Sequence, residues 1–362
     1  ALCIASHHSG LIDCLSADQK DMGADNFSRR MDKADARSHL VEAWGKYDTT
    51  LRQRVCQLLA DPALIASIQE KLRSILLKAP EKSDKGLVAR QQIGLLVRYL
   101  FSCLIDADRL DTAIFEKPRA NRHRPHGDYV DWETLIGRLE AHLANLQPRS
   151  PIDGLRREIA QHCLDGAQRE RGVYTLSVPT GGGKTLASLR FALHHAAHHS
   201  RDASHRMDRI IYVIPFTSII DQNAKVVRGI LEPAEGHSEH GRIVLEHHSN
   251  LTPEVQGWRD KILTENWDAP VIYTTMVQFL ETLFGAGTRG ARRMHQLTNA
   301  VVVFDEIQSL PVRCVHLFNN AVQFLTDHCN STAVLCTATQ PLLGKVDPVR
   351  GALRLTHEYE LM

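Results

Sequence analysis

Apolar positions along this chain follow two different periods. From about Asp32 to Leu110 they recur every three to four residues, with Ala36, Leu40, Ala43 and Tyr47 on one face and Leu64, Ile68, Leu72 and Ile75 on another. Almost no β-branched run interrupts them, so this stretch predicts an all-α domain. After Pro151 the pattern alternates. Short β-branched and aromatic runs at 173–178, 209–214, 243–246, 271–275, 300–304 and 332–336 are separated by helical segments such as 279–284 and 315–325. Strands alternating with helices predict a parallel, doubly wound α/β sheet. Between the two parts lie Pro118, Arg119, Arg122, His123, Arg124, Pro125, His126 and Gly127, an amphipathic piece around 135–146, then Pro148 and Pro151. That punctuation reads as a basic connector over 116–150.

Chemistry enters at the end of the first predicted strand. Val178 is followed by Pro179-Thr180-Gly181-Gly182-Gly183-Lys184-Thr185 and then by a helical composition, giving the strand, loop, helix order of a phosphate-binding loop. The three glycines let backbone N–H groups turn inward around phosphate oxygens, Lys184 supplies a point charge, and the Thr185 hydroxyl can ligate a metal. Val178 stands where the strict Walker pattern has glycine, so the match is to the Pro-Thr-Gly-x-Gly-Lys-Thr variant of helicase-type motors. The fifth predicted strand ends in Phe304-Asp305-Glu306-Ile307-Gln308. Asp305 is suited to hold magnesium and Glu306 to polarise the attacking water. ATP and Mg2+ are the expected cofactors. In a doubly wound sheet ligands bind outside the carboxyl ends of the strands, where both motifs fall.

Other strand ends carry hydroxyls. The run 210–216 ends in Thr217-Ser218, the run 271–273 in Thr274-Thr275, and Cys336 is followed by Thr337-Ala338-Thr339. Turn hydroxyls and amides can grip a phosphodiester backbone without reading sequence, and the last triplet, with Gln308, could couple hydrolysis to movement. Helix capping by the same threonines and serines is the alternative use.

Composition narrows the class. A net charge of +1 means that nucleic-acid contact must come from a local groove and not from a global basic field. The eight cysteines include no Cys-x-x-Cys pair, which argues against a zinc ribbon or a disulfide framework. No apolar run reaches the ~18 residues a bilayer span needs, and no basic-then-apolar leader opens the chain, so a cytoplasmic protein without a membrane partner is expected. The histidines at 194, 195, 198 and 199 mimic a metal pair but read as a solvated helix face, and those at 237, 240, 247 and 248 are expected in an exposed loop and strand without chemistry.

Residues 151–345 resemble the first RecA-like domain of a superfamily-two helicase. The stretches 178–193, 209–220 and 305–308 resemble the helicase-nuclease of type I CRISPR interference. That family carries a helical HD-type nuclease before its motor, with a His-His pair and a later aspartate as metal ligands. Ile4-Ala5-Ser6-His7-His8 and Leu104-Ile105-Asp106-Ala107-Asp108 are similar to these elements. Between the two aspartates, Asp108 has Phe101, Leu104 and Ile105 at i−7, i−4 and i−3, so it is expected to project from the apolar stripe, with Asp106 on a more polar side. A carboxylate buried there needs a metal or an arginine partner. His7, His8 and Asp108 are therefore the expected ligands of a divalent transition metal, for which Mn, Fe, Co, Ni and Zn are all suitable.

The resemblance implies four segments: 1–115 as the C-terminal part of the nuclease domain, 116–150 as linker, 151–345 as the first motor domain, and 346–362 as the start of a connection to a second RecA-like domain. The chain is thus expected to be a fragment, weak or inactive alone, of an ATP-dependent translocase. The whole would follow single-stranded DNA exposed by an RNA-guided surveillance complex and cut it with a metal-activated water. The alternative is a general superfamily-two DNA or RNA helicase with a non-catalytic helical accessory domain.

Overall fold

The computed structural model describes residues 2–14, 22–32, 39–79, 86–121, 124–179, 181–202, 206–248, 263–355 and 359–362. Ala36, Arg122, His123 and Thr180 lie outside them. In the helical part, α1 (Leu2–Ser6), α2 (Asn26–Met31) and α3 (Leu40–Lys46) precede α4 (Thr49–Ala60), α5 (Pro62–Lys78) and the long α6 (Leu87–Glu116). Asp48 and Asp61 cap α4 and α5 through their side chains, which explains why the chain breaks between these helices. There follow α7 (Pro118–Asn121), α8 (Trp132–Asn145) and α9 (Ile152–Gly166).

The remainder alternates strand and helix: β1 (Val173–Ser177), α10 (Lys184–His199), β2 (Arg209–Ile214), α11 (Thr217–Leu231), β3 (Val244–His247), β4 (Val271–Thr275), α12 (Met276–Phe284), β5 (Ala300–Phe304), α13 (Val315–His328) and β6 (Thr332–Thr337). The strands form one parallel sheet in the order β1-β6-β5-β2-β4-β3. Alternate residues of each strand enter opposite cores. Ile210, Tyr212 and Ile214 pack with Phe191 and Ala224 on one face, and Ile211 and Val213 pack with Phe279 and Phe318 on the other. Burial on both faces is why these strands read as unbroken apolar runs.

Three expectations change. The region 116–150 is more than a connector, because α8 puts Leu135, Ile136 and Leu139 into the core beside α10, and the Trp132 indole donates to the Met207 carbonyl at 3.0 Å. Within the stretch expected to lead away from this domain, residues 359–362 lie along the sheet: Leu361 N–H donates to the Thr175 carbonyl and Ser177 N–H to that of Met362, both at 2.8 Å. Tyr359 also stacks on Tyr174, with centroids 4.6 Å apart. The tail therefore covers the edge of β1, where unpaired strand amides would otherwise face water. In α5 only Ile75 of the expected stripe is buried, while Leu64 and Ile68 are exposed.

The helical part docks through α6. Arg98 donates to the carbonyls of Thr282 at 2.9 Å and Gly285 at 2.8 Å, satisfying the open end of α12. Among the described residues no helix is long and apolar enough to cross a membrane.

Candidate nucleotide site

Strands β1, β6 and β5 are neighbours, so their carboxyl ends bring the phosphate loop, Thr337 and Asp305 to one side of the sheet. The loop needs its glycines for different reasons. Gly183 has φ +81, in the left-handed region that favours glycine, while a Cβ on Gly182 would lie 2.5 Å from Val178 Cγ1 and 3.0 Å from the Pro179 carbonyl oxygen. Helix α10 starts at Lys184 with no side chain capping its first turn. Its N–H groups are therefore available to an anion.

Lys184 lies between the two carboxylates of the second motif. Its Nζ is 3.2 Å from Asp305 Oδ1 and also pairs with Glu306. Burial pushes the Asp305 carboxyl up, against the pull of Lys184. Burial works upward on Glu306 too, but hydrogen bonds from Lys184 and Gln308 outweigh it and hold that carboxyl low. For Lys184 burial works downward, and the bond to Glu306 and the charge of Asp305 outweigh it, so the ammonium form is favoured. Glu306 adopts φ +50, a left-handed conformation that costs a non-glycine residue about 1–2 kcal/mol. This turn aims its side chain back at the phosphate loop.

The contacts continue to β6. Gln308 Nε2 donates to Glu306 Oε2 at 2.5 Å, the Thr337 hydroxyl donates to the Gln308 side-chain oxygen, and Thr339 N–H donates to the Thr337 hydroxyl at 3.1 Å. Thr337 is buried, whereas Gln308, Ala338 and Thr339 are exposed. An unbroken polar chain thus runs from Lys184 to the turn after β6.

A cleft of about 1190 Å³ opens over Lys184, Asp305 and Glu306, with Arg156, Thr185, Gln222 and Asn223 among its walls. Arg156 is a site residue that motif reading missed. Its Nε and one Nη both donate to the Gly181 carbonyl, at 3.0 and 2.7 Å, and its stem packs against Gly183. Asp153 holds Arg156 at 2.8 Å and accepts from the N–H groups of Arg149 and Ser150. The Ser150-x-x-Asp153 spacing resembles a helix-start box and could have signalled that α9 begins there. Nothing in the sequence linked Arg156 to the loop.

At the other strand ends the expected grips differ. Thr217 opens α11, and Ser218 is in its first turn. Thr274 is fully buried and its hydroxyl donates to the His247 carbonyl at 3.0 Å, so that side chain does not reach a surface ligand. Thr275 caps α12, accepting from Gln278 N–H at 3.1 Å. Capping is the use the fold makes of it.

The metal ligands expected in the helical part do not converge. His7 and His8 pack ring against ring, with centroids 3.8 Å apart, and Asp108 lies on the exposed side of α6. Among the described residues these three form no ligand group. The inward carboxylate is Asp106, bound by Arg292 Nε at 2.7 Å and Asn266 Nδ2 at 3.3 Å, with His295 Nε2 at 3.4 Å. Burial raises this carboxyl, but the bonds from His295 and Arg292 outweigh it and hold it below the usual range. Around Asp106 the interior face of α6 carries polar groups that its neighbours satisfy with arginine, histidine and asparagine, while Phe101 and Ile105 beside them pack with Ala291.

The histidines also move. His195 is fully buried, with Nδ1 2.9 Å from the Ala167 carbonyl and Nε2 2.9 Å from the Thr332 hydroxyl, and His194 pairs with Glu140 at 3.0 Å. His248, expected to be exposed, is buried.

Residues 157–345, more than half of the chain, match the DEAD/DEAH box helicase family. The chain belongs to that family. Its parallel sheet is the RecA-like core of an ATP-binding helicase domain. This helicase chain is 27% identical over 250 residues to the CRISPR-associated nuclease/helicase Cas3 of Haloferax volcanii, a match covering 60% of the chain and 26% of the relative. The chain thus matches about a quarter of that relative's length, and the resemblance read from the motifs is borne out. Among solved structures it is similar to Cas3 of T. fusca, at 19% identity and a TM-score of 0.44 over 57% of this chain and 22% of that one. It is also similar to the DEAD-box helicase Mss116 bound to single-stranded RNA, at 14% identity and a TM-score of 0.38 over 57% of this chain and 38% of that one.

Proposed function

We propose that this chain is the ATP-hydrolysing motor part of a nuclease/helicase that translocates along single-stranded DNA in RNA-guided antiviral defence. The observation that carries the motor reading is the polar chain from Lys184 through Glu306 and Gln308 to Thr337. It ties the group that senses the phosphates to the turn of another strand. A change at one end alters hydrogen bonding at the other. The DNA and defence parts rest on the similarity to a protein described as a CRISPR-associated nuclease/helicase.

The residues suit a magnesium nucleotide. Lys184 is already paired with two carboxylates, so an incoming phosphate can take over the lysine while an incoming cation takes over Asp305, and neither carboxylate is left without a positive partner nearby. Thr185 and Asp305 would hold magnesium, which when bound neutralises charge building on the phosphate oxygens. The loop amides and Lys184 orient the phosphates, and Glu306, released from Lys184, takes up the proton of the attacking water. Gln308, Thr337, Ala338 and Thr339 pass the change towards the rim. Thr217 and Ser218 on α11 are the proposed contacts to the phosphodiester backbone, with Thr275 placing its turn. The proposal keeps a metal-dependent nuclease step, for which His7 and His8 are the candidate ligands in this chain. A surveillance complex carrying the guide RNA is the proposed partner.

Nucleotide affinity is the direct test. Lys184→Ala should weaken binding of ATP with magnesium at least tenfold, about 1.4 kcal/mol, because two carboxylates then face the phosphates without the lysine charge between them. Glu306→Gln should preserve binding and abolish whatever turnover single-stranded DNA elicits. Unchanged affinity in the lysine variant would sink the site assignment, and equal stimulation by single-stranded RNA would favour a general helicase.

A further inference from the structure

Beside β3, the edge strand farthest from β1, Asp221, Glu246 and His248 bring one ligand atom each within 4.8 Å of one another, with Asp221 next in sequence to Gln222 and Asn223 of the ATP cleft. Asp221 comes from α11, Glu246 from β3, and His248 immediately follows β3, the edge strand. His248 Nε2 is 3.1 Å from Asp221 Oδ1 and 3.8 Å from Glu246 Oε2. The His248 side chain is only 2% exposed, yet neither ring nitrogen has a hydrogen-bond partner among the described residues. A buried imidazole left in that state keeps its desolvation cost unless something ligates it.

We propose that these three side chains form a site for a zinc-class divalent cation, separate from the nucleotide magnesium. The spacing suits such an ion. Ligand atoms about 2.0–2.2 Å from a tetrahedral centre lie roughly 3.3–3.6 Å apart, and the two contacts to His248 Nε2 bracket that separation. The oxygens are correctly shared out: Arg228 takes Glu246 Oε1 at 2.7 Å, leaving Oε2 as the oxygen towards His248. Asp221 is 64% exposed, so the cation has a route from solvent, and three protein ligands leave a position for water. One imidazole with two carboxylates suits zinc and its neighbours better than magnesium, which prefers oxygen alone. The ion clamps α11, the helix that begins at Thr217, to the end of β3. Glu246 and His248 come from the end of one strand and Asp221 from α11, so their meeting is a tertiary event.

The test is calorimetric titration of the chelator-treated 362-residue chain with zinc ion alone, without nucleotide. One zinc should bind at this site, and Asp221→Asn, at an exposed position that leaves the core intact, should weaken it at least tenfold. His248→Gln should do the same, and His8→Ala should change nothing here. With cobalt as the probe, the visible bands of a four-coordinate ion should appear in the parent chain and be lost in Asp221→Asn. No zinc uptake by the parent, or an affinity that follows His8 and ignores Asp221, overturns the proposal. Neither outcome touches the ATP reading, whose test is nucleotide affinity.

Discussion

Replacing Asp106 by alanine isolates the contact that joins the helical part to the motor core. Arg292 is 6% exposed and its Nε bonds Asp106 at 2.7 Å. Removing one partner of a buried ion pair costs about 3–5 kcal/mol, because the remaining charge keeps its desolvation penalty. Glu265 still reaches Arg292 Nη1 at 3.3 Å, but its side chain is 48% exposed and offsets little, so the expected loss lies near the lower figure, about 3 kcal/mol. At about 2–4 °C per kcal/mol for a core of this size, the melting temperature should fall by at least about 6 °C. Asp108→Ala should stay within about 0.5 kcal/mol, as an exposed substitution does. Calorimetry on the two variants reads this directly. The Asp106 substitution should also cost much less in an Arg292→Met background, since the stranded charge is then gone. Equal shifts for Asp106→Ala and Asp108→Ala, or a larger one for Asp108→Ala, would refute the assignment and return Asp108 to the interior.

Two further outcomes follow from local geometry. Gly182→Ala places a methyl group 2.5 Å from Val178 Cγ1 and 3.0 Å from a backbone oxygen, so the loop must open, and ATP affinity should fall at least tenfold; unchanged binding would mean that the loop is not held as described. His195 donates from Nδ1 to a carbonyl and accepts at Nε2, and burial pushes its pKa down to about 3, so the folded protein holds it neutral. The unfolded chain takes up that proton below about pH 6.5. Stability supplied by this group is complete above that value and is lost as pH falls towards 3, at up to about 1.4 kcal/mol per unit. A His195→Gln variant should show a flatter acid limb in urea unfolding, and an identical limb would count against a buried neutral imidazole.

What the chain's pattern decided by itself was whatever depends on neighbours in sequence. Strands β2, β4 and β5 begin and end where their apolar runs do, because both faces of a parallel strand are buried and leave an unmistakable run. The place of the glycine-rich loop between β1 and α10 was legible for a similar reason: consecutive residues build it, so residue type and spacing mark it. The Asp305-Glu306 pair was legible with it.

Contacts between distant segments were decided only by the tertiary structure. Asp106 and Asp108 both sit on α6, and helical spacing favoured Asp108 because apolar residues surround it in sequence. At this level of α6 the neighbour offers polar partners beside its apolar ones, so Ser102 and Asp106 turn inward to meet His295 and Arg292 next to the buried Phe101 and Ile105. Hydropathy marks a buried face only when the facing surface is apolar. The same limit hid Arg156, which reaches Gly181 from α9, and His248, whose meeting with Asp221 depends on where α11 crosses the end of β3. A side chain's identity is local, but the charge or hydrogen bond that satisfies it comes from wherever the fold places a partner.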